Sequence, residues 1–192
     1  MGTLVISENV TLDGVIQDPT GDAGFTRGGW FNDVPDEDHR AWAEVGCEEA
    51  LAAEALLMGR GTYEFLAERW PGRTGTWAER LNTMPKYVVS STLEDPVWGG
   101  TTVLKGDVVD AVSALKRRVG GEIVVNASGQ LVPTLLAHDL VDEVRLMVYP
   151  ILLGDGQRLF PATDQTMPLR LVDTRTVGTG LVLLTYARAR FD

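Results

Sequence analysis

Polar residues follow three predicted β-strands at the points where each strand gives way to a turn or a helix. Glycine lets a backbone approach a ligand closely, and the first amides of a helix can donate to an anion. An arginine adds a planar guanidinium suited to phosphate, and hydroxyls can bind phosphate or ribose. Ligands in open α/β sheets bind outside the carboxyl ends of strands, so these junctions could line one anion site. The junctions are Gly59-Arg60-Gly61-Thr62, Ser90-Ser91-Thr92 and Ser128-Gly129-Gln130.

Each junction also has an ordinary structural explanation. Glycine after a strand most often serves a turn, and serine or threonine there most often caps a helix. Arg60 could equally form a surface ion pair, which contributes little to stability. The residues alone therefore predict an α/β domain that binds an anion, and they leave its reaction open.

Other catalytic and binding chemistries find little support in the sequence. The glycines match neither the dinucleotide pattern G-x-G-x-x-G nor the phosphate-loop pattern G-x-x-x-x-G-K-[ST]. His39, His138 and Cys47 lack the spacing of metal ligands, so we expect no metal site. Cys47 is expected to be a small core residue of a helix, and there is no G-x-S-x-G nucleophile motif. No single residue can be named as catalytic.

Length and charge narrow the class of protein further. A chain of 192 residues fits one domain, which we expect to span residues 1–192. The net charge of −10 argues against a nucleic-acid partner, because phosphate backbones are bound by clustered Lys and Arg. The apolar runs are too short for a membrane span, so no membrane association is expected. The N-terminus enters a strand pattern without a signal sequence, which favours a cytoplasmic protein.

Strand and helix patterns alternate along most of the chain. They predict an α/β fold with three layers: a mostly parallel mixed sheet, antiparallel C-terminal strands, and helices on both faces. Strands are predicted at residues 3–12, 55–59, 86–91, 101–105, 122–126, 143–149, 169–176 and 180–188. Helices are predicted at 36–53 and 62–70, after a cap at Asp107, and in a segment ending near His138. Residues 13–35 fit neither period.

Two helix starts can be argued from capping. Asp36 and Asp38 are both candidates for the N-cap of the first helix. In the last helix, Pro133 would press on a carbonyl if Ser128 were the cap. The cap is therefore expected at Gly129 or later.

Five motifs stand in order along the chain. They are Val10-Thr11-Leu12-Asp13-Gly14-Val15, Gly24-Phe25 through Gly28-Gly29-Trp30, Leu57-Met58-Gly59-Arg60-Gly61-Thr62-Tyr63-Glu64, Pro85-Lys86-Tyr87-Val88-Val89-Ser90, and Leu140-Val141-Asp142-Glu143 through Pro150-Ile151-Leu152-Leu153-Gly154-Asp155-Gly156-Gln157-Arg158-Leu159-Phe160. In this order they resemble the dihydrofolate reductase superfamily over nearly the whole chain. The resemblance is greatest to the branch that holds the reductase domain of riboflavin-biosynthesis deaminase-reductases and stand-alone bacterial relatives.

The resemblance implies that the cofactor is NADPH rather than NADH. In such reductases, the segments matching Arg60 to Thr62 and Ser90-Ser91 surround the adenosine 2′-phosphate. The segment matching Ser128 to Leu131 covers the pyrophosphate, and the loop at Asp13-Gly14 lies by the nicotinamide. Trp30, Phe31 and Tyr149 are candidates for the substrate side. The expected cofactor-binding residues are Asp13, Gly14, Gly59, Arg60, Gly61, Thr62, Ser90, Ser91, Thr92, Ser128, Gly129, Gln130 and Leu131.

The sequence also departs from the family pattern, and the departures put dihydrofolate itself in doubt. Typical dihydrofolate reductases hold the pterin with a carboxylate on the first long helix. Val148 stands where they commonly place a threonine, and Ser128-Gly129 replaces a double glycine. The acids that the first helix offers, none of which aligns uniquely, are Asp36, Glu37, Asp38, Glu44, Glu48 and Glu49.

Residues and resemblance together predict an NADPH-dependent reductase. Its substrate would be a small heteroaromatic or carbonyl compound, pterin-like or aminopyrimidine-like, that receives a hydride. The alternative is a non-catalytic nucleotide-binding or partner-binding domain of the same fold. The resemblance further suggests a homodimer through residues 147–160. Within that segment Ile151-Leu152-Leu153 is a long apolar run to leave exposed, although it could equally be core.

Overall fold

The structure is a computed structural model that describes residues 1–160 and 166–189. The chain divides into two compact units. Unit 1 comprises Met1–Ile6 and Val45–Asp142, and unit 2 comprises Ser7–Glu44 and Glu143–Asp192. Strand β1 (Thr3–Thr11) and helix α1 (Asp36–Ala52) each contribute residues to both units.

Unit 1 is built on parallel strands. The strands β2 (Ala55–Gly59), β3 (Lys86–Val89), β4 (Thr101–Leu104) and β5 (Glu122–Asn126) follow the order β4-β3-β2-β5-β1. Strand β2 pairs in parallel with both β3 and β5, with Gly59 opposite Val89 and Leu57 opposite Val125. The carboxyl ends of these three strands therefore lie at the same edge. The helices are α2 (Arg60–Arg69), α3 (Thr76–Thr83), α4 (Val108–Arg118) and α5 (Leu131–Ala137).

The core of unit 1 explains why these segments form strands. The residues of β2 from Ala55 to Met58 are all buried, as expected for a strand covered on both faces. Met58 belongs to one buried cluster with Val88 of β3 and Val124 of β5. Tyr63 of α2 is buried in the same cluster. Leu66 and Ala67 of the same helix, and Trp70 just after it, pack against this cluster.

Helix α3 was not expected from the sequence. It has eight residues, of which Ala78 and Leu81 are buried. Its C-terminal carbonyls are bound by a residue outside the helix: Lys86 of β3 donates from Nζ to Leu81 O and Met84 O, both at 2.8 Å. Burial lowers the pKa of Lys86 to about 8. A helix stabilised by such a tertiary contact is hard to predict from its own residues.

Unit 2 contains the antiparallel strands. The strands β6 (Glu143–Tyr149), β7 (Leu169–Val177) and β8 (Leu181–Arg188) follow the order β1-β6-β8-β7, and β8 is antiparallel to both of its neighbours. The turn between β7 and β8 begins at Gly178, whose φ of 63° suits glycine. Residues between β1 and α1 are irregular, as predicted, except for a short 3-10 turn at Trp30–Asn32.

Several predicted boundaries need correction. Helix α2 begins at Arg60 rather than residue 62, because Gly59 in extended conformation serves as its N-cap and Gly61 is tolerated in the first turn. Strands β3 and β4 end at Val89 and Leu104, before the hydroxyl-rich turn and Lys105 respectively.

The capping predictions had mixed outcomes. Asp36 is the first residue of α1, and Pro35 O accepts from Asp38 N at 2.9 Å, so neither aspartate is the N-cap. Asp107 caps α4 as predicted, with its side chain accepting from Asp110 N at 2.9 Å. The N-cap of α5 is Gln130, which confirms a start beyond Gly129.

The predicted fold class is confirmed: the described residues form a mixed α/β structure with an eight-stranded, mostly parallel sheet, antiparallel C-terminal strands and five α-helices. The single-domain organisation stays a prediction. Among the described residues, no helix has both the length and the apolar content that crossing a membrane requires.

Candidate functional site

Residues from the three predicted junctions meet at one edge of unit 1. We call residues 59–62, 90–92 and 128–131 the strand-end cluster. From the start of α2, Arg60 donates to Thr92 Oγ1 at 2.6 Å. Gly59 N donates to Ser128 Oγ at 3.0 Å, and Thr62 Oγ1 lies 3.1 Å from the same oxygen. The beginning of α2 is therefore hydrogen-bonded to both of the other junctions.

The N-terminus of α2 offers donors and open space. It has no side-chain cap and no acidic residue in its first turn. The amides of Gly61 and Thr62 lie in the first turn of α2 and precede its first possible intrahelical bond. A Cβ placed on Gly59 or on Gly61 would meet nothing within 4 Å. The backbone is thus open to a ligand at this point.

Arg60 sits where a cation does not help its own helix. It is the first residue of α2, and the positive end of a helix favours anions instead. Its Nε donates to Glu64 Oε1 at 2.6 Å, and both side chains are 50% exposed. Arg60 therefore forms the surface ion pair that was the alternative explanation of this residue. The same guanidinium also reaches Thr92 of the strand-end cluster, so its role toward an anion stays a prediction.

Ser90 shapes the turn after β3. Its Oγ accepts from Thr92 N at 3.2 Å and from Leu93 N at 3.0 Å. These are the contacts of a serine turn, and they leave the hydroxyl hydrogen able to donate to a ligand. Ser91 and Thr92 are exposed at the same turn.

The turn after β5 has an unusual backbone. Ala127 and Ser128 have φ of 48° and 70°, the left-handed region that disfavours residues with a Cβ. Ser128 O accepts from Leu131 N at 2.8 Å, so that predicted pyrophosphate donor already has a partner. Within the described residues, the amides of Gly129 and Gln130 have no acceptor. These two amides are therefore the available donors of this turn.

The carboxylate of Asp13, in unit 2, accepts hydrogen bonds from Thr11 and from a neighbouring loop. Oδ1 accepts from Thr11 Oγ1 at 2.7 Å, and Oδ2 accepts from Gly154 N at 2.7 Å. The Thr11 hydroxyl and then the loop amides hold the pKa of Asp13 at about 2. Gly14 continues the turn with φ 83°, and a Cβ there would meet nothing within 4 Å. Whether Asp13 and Gly14 contact a cofactor stays a prediction.

The three residues predicted for the substrate side are brought together in unit 2. The ring centroid of Tyr149 lies 5.3 Å from that of Trp30 and 5.7 Å from that of Phe31. Phe31 also contacts Trp42 at 4.8 Å and His39 at 5.3 Å. We call Trp30, Phe31, His39, Trp42 and Tyr149 the aromatic cluster. Trp30 and Tyr149 are buried, so Phe31, which is half-buried, is the one of the three predicted residues with a ring face open to a ligand.

Two buried polar groups of unit 2 lack a partner for an atom among the described residues: the hydroxyl of Tyr149 and Oε2 of Glu8. Burial, and secondarily Asp38, raises the pKa of Tyr149 above its ordinary value. Burial raises the pKa of Glu8 to about 8, although its other oxygen accepts from Asn9 N at 3.2 Å. Sequence analysis missed Glu8. The available signal was an acid on the face of β1 that also holds the apolar residues Ile6 and Val10.

The apolar run Ile151-Leu152-Leu153, which could be dimer surface or core, is partly exposed and partly buried. Leu152 is 72% exposed, whereas Ile151 and Leu153 are half-buried. A homodimer stays a prediction. In the part of the chain that the structure describes, no three His, Cys, Asp or Glu side chains are grouped to hold a metal ion.

Strand order and site together define a protein of the dihydrofolate reductase-like fold. The family model of the RibD C-terminal domain matches residues 3–183. The chain therefore belongs to the RibD C-terminal domain family, a reductase-type family.

Relatives and solved structures agree with this assignment. The uncharacterized proteins YyaP and YwjB of Bacillus subtilis (strain 168) are 26% and 24% identical, over 95% and 94% of this chain and 93% and 94% of their own lengths. The "Putative riboflavin biosynthesis protein" of Shewanella sp. PV-4 has a TM-score of 0.76 at 25% identity, covering 98% of this chain and 99% of that one.

A further solved structure shows the same fold at lower identity. RibD of Acinetobacter baumannii has a TM-score of 0.63 at 14% identity, and the match covers 99% of this chain but 59% of that one.

Proposed function

We propose that this protein is an NADPH-dependent reductase that binds the phosphates of its cofactor at the strand-end cluster. The observation that carries the proposal is the pair of hydrogen bonds from the start of α2, Arg60 to Thr92 and Gly59 to Ser128. They assemble a guanidinium, several hydroxyls and an uncapped helix N-terminus at one edge. Such a set of donors fits a phosphate better than any neutral ligand.

The adenosine 2′-phosphate is assigned to the Arg60 side of the cluster. The guanidinium offers a planar fork of donors, and Ser90, Ser91 and Thr92 add hydroxyls at the neighbouring strand end. Thr62 supplies one more hydroxyl from the first turn of α2. Because NADH has no 2′-phosphate, these residues would bind NADPH in preference to NADH.

The pyrophosphate is assigned to the turn after β5. Gly129 and Gln130 present amides without an internal acceptor, and the left-handed backbone at Ser128 orients them. Leu131, whose amide is occupied, can contribute only through its side chain and packing. Gly59 and Gly61 leave room for close approach of the phosphates to the helix.

The substrate side is assigned to the aromatic cluster, with the half-buried Phe31 packing against a flat heteroaromatic ring and the buried Trp30 and Tyr149 supporting Phe31 from within. A pterin-like or aminopyrimidine-like substrate is favoured by the family and by the riboflavin-biosynthesis name of the Shewanella protein. We propose that Asp13 and Gly14 lie by the nicotinamide and that the exposed backbone of Gly14 contacts it. A bound NADPH would supply a hydride to an electrophilic carbon of the substrate.

One observation favours a second candidate, a nucleotide-binding protein without turnover. Asp38 is the buried carboxylate of α1 among the described residues, and its Oδ1 is bound by Thr179 N at 2.6 Å and Thr179 Oγ1 at 3.0 Å. One of its two oxygens is therefore already bound within the protein, which leaves it less able to hold a pterin as the acid of a typical dihydrofolate reductase does. Such a protein would keep the strand-end cluster and lack reductase activity.

Turnover distinguishes the two candidates. We expect the protein to oxidise NADPH when pterins or ribosylaminopyrimidines are supplied, and to do so more slowly as the Arg60→Ala variant at subsaturating NADPH. Arg117→Ala removes an exposed positive charge from α4, outside the strand-end cluster, and should leave the rate unchanged. Tight NADPH binding with no oxidation by any acceptor would favour the second candidate.

A further inference from the structure

Arg60 is shared between two partners on the protein itself. Its Nε donates to Glu64 Oε1, one helical turn further along α2, and its NH1 donates to Thr92 Oγ1, each at 2.6 Å. Thr92 is a neutral residue of the strand-end cluster, whereas Glu64 lies outside the cluster and brings a negative charge. The guanidinium is thus partly neutralised by a carboxylate in the absence of any ligand.

We propose that Glu64 is a specificity-determining residue that limits how strongly the site prefers NADPH over NADH, by competing with the 2′-phosphate for Arg60. This inference rests on the proposed function, since it assumes that Arg60 meets that phosphate. It assigns to Glu64 a role through Arg60, as a positioning residue that need not touch the cofactor.

Exposure makes the competition possible. Arg60 and Glu64 are each 50% exposed, and an exposed ion pair is weak enough for a ligand to displace. A phosphate monoester carries between one and two negative charges near neutral pH, against one for the carboxylate. The phosphate can therefore displace Glu64 from Arg60. The binding free energy of NADPH is then reduced by the free energy of the Arg60–Glu64 ion pair.

Displacement is not required for the effect. A guanidinium has five N–H donors, so a phosphate could bind the edge of Arg60 that Glu64 and Thr92 leave open. The carboxylate would then remain a few ångströms from the phosphate and repel it. Both arrangements lower NADPH affinity, and neither acts on NADH, which has no charge at the 2′ position.

No residue in the first turn of α2 repels an anion as Glu64 does. That turn contains no acidic residue, so the positive end of the helix and Arg60 act together on an anion. Glu68, the next acid along α2, contacts Arg69 at 3.1 Å and is 77% exposed. It carries the same charge without touching Arg60, which makes Glu68→Gln a matched control for Glu64→Gln.

The experiment is calorimetric titration of the wild type and both variants with NADPH, NADH and adenosine 2′-monophosphate at low and moderate salt. We expect Glu64→Gln to raise the ratio of the NADH Kd to the NADPH Kd about three- to fivefold at low salt, the upper range for an exposed pair. Binding of adenosine 2′-monophosphate should tighten in parallel, and NADH affinity should be unchanged. The gain should shrink as salt screens the charges.

The other outcomes separate this inference from the proposed function. A wild type that prefers NADPH, with the same ratio in Glu64→Gln, overturns the role of Glu64 and leaves the cofactor site standing. An equal rise in Glu64→Gln and Glu68→Gln also overturns it, because net charge would then explain the effect. If none of the three proteins binds NADPH or adenosine 2′-monophosphate, both the inference and the cofactor site fail.

Discussion

Ser128 Oγ accepts a hydrogen bond at 3.0 Å from the amide of Gly59, a residue 69 positions earlier in the chain. The same oxygen lies 2.9 Å from Asn126 O and 3.1 Å from Thr62 Oγ1. Gly59 ends β2 and Ser128 follows β5, so one buried hydroxyl fixes the distance between two strand ends. It also holds the left-handed turn whose amides we assign to the pyrophosphate.

Replacing Ser128 with alanine should loosen this arrangement. The half-buried Gly59 amide loses its acceptor, and the lost hydrogen bond should cost about 0.5–1.5 kcal/mol of unfolding free energy. Ser128→Gly removes the same hydroxyl but relaxes the φ of 70°, which should recover about 1 kcal/mol relative to Ser128→Ala. Urea unfolding of the two variants measures both effects. Equal stabilities for alanine and glycine would show that the backbone at residue 128 is not strained.

Asp13→Asn should lower stability in a pH-dependent way, which unfolding experiments between pH 7 and pH 2 measure. The carboxylate binds Thr11 and the 153–154 loop, so the amide should lower the unfolding free energy at pH 7 by about 1–2 kcal/mol. The folded pKa of about 2 lies below the ordinary value of 3.8, so the stabilisation is present above pH 4 and is lost as pH falls toward 2. The two proteins should therefore converge in stability as pH falls toward 2. A constant gap from pH 7 to pH 2 would contradict the assignment.

Glu8 should make the folded protein less stable as pH rises. Its folded pKa is raised to about 8 from 4.5, so between those values the unfolded chain releases a proton that the folded chain retains. The unfolding free energy should fall across this range, by up to about 1.4 kcal/mol for each pH unit. Glu8→Gln, neutral at every pH, should flatten this dependence and be more stable than the wild type at pH 8.

The control for Glu8 is the exposed Glu94, whose change to glutamine should leave the pH dependence as in the wild type. Thermal unfolding at pH 5, 6.5 and 8 measures all three proteins. A Glu8→Gln variant with the wild-type slope would show that this carboxyl ionises freely in the folded state.

Asp38 and Thr179 should be energetically coupled. Each of Asp38→Asn and Thr179→Val removes part of a two-point contact between α1 and the β7–β8 turn. We expect each to reduce the unfolding free energy by about 1–3 kcal/mol, and the double variant to lose less than their sum. Additive losses in a double-mutant cycle would contradict a direct interaction. Asp38 would then remain a candidate for binding the substrate.

Much of the fold could be predicted from local patterns. The strands at 55–59, 122–126 and 143–149 are predicted to the residue, because each is an apolar run bounded by turn residues. What could not be predicted depends on partners distant in sequence. The carbonyls at the end of helix α3 are bound by Lys86. The Asp38 side chain binds Thr179 instead of capping α1.

The candidate site divides in the same way. Residue types and spacing indicated the three junctions at Gly59, Ser90 and Ser128. Because β2 pairs in parallel with both β3 and β5, the ends of these three strands lie at one edge. The sequence could not show that Leu131 N is already occupied or that Glu64 binds Arg60. Nor could it show that the Asp13 carboxylate serves a loop. These are contacts of side chains and amides whose partners only the folded chain defines.

The central claim is that Arg60 and the strand-end cluster bind the 2′-phosphate of NADPH. The measurement that tests it most directly is titration of the wild type, Arg60→Ala and the Arg117→Ala control with NADPH and NADH. We expect the wild type and the control to bind NADPH more tightly than NADH, and Arg60→Ala to lose most of that preference with little change toward NADH. A preference that survives in Arg60→Ala, or no binding of either nucleotide at near-millimolar concentration, would contradict the account.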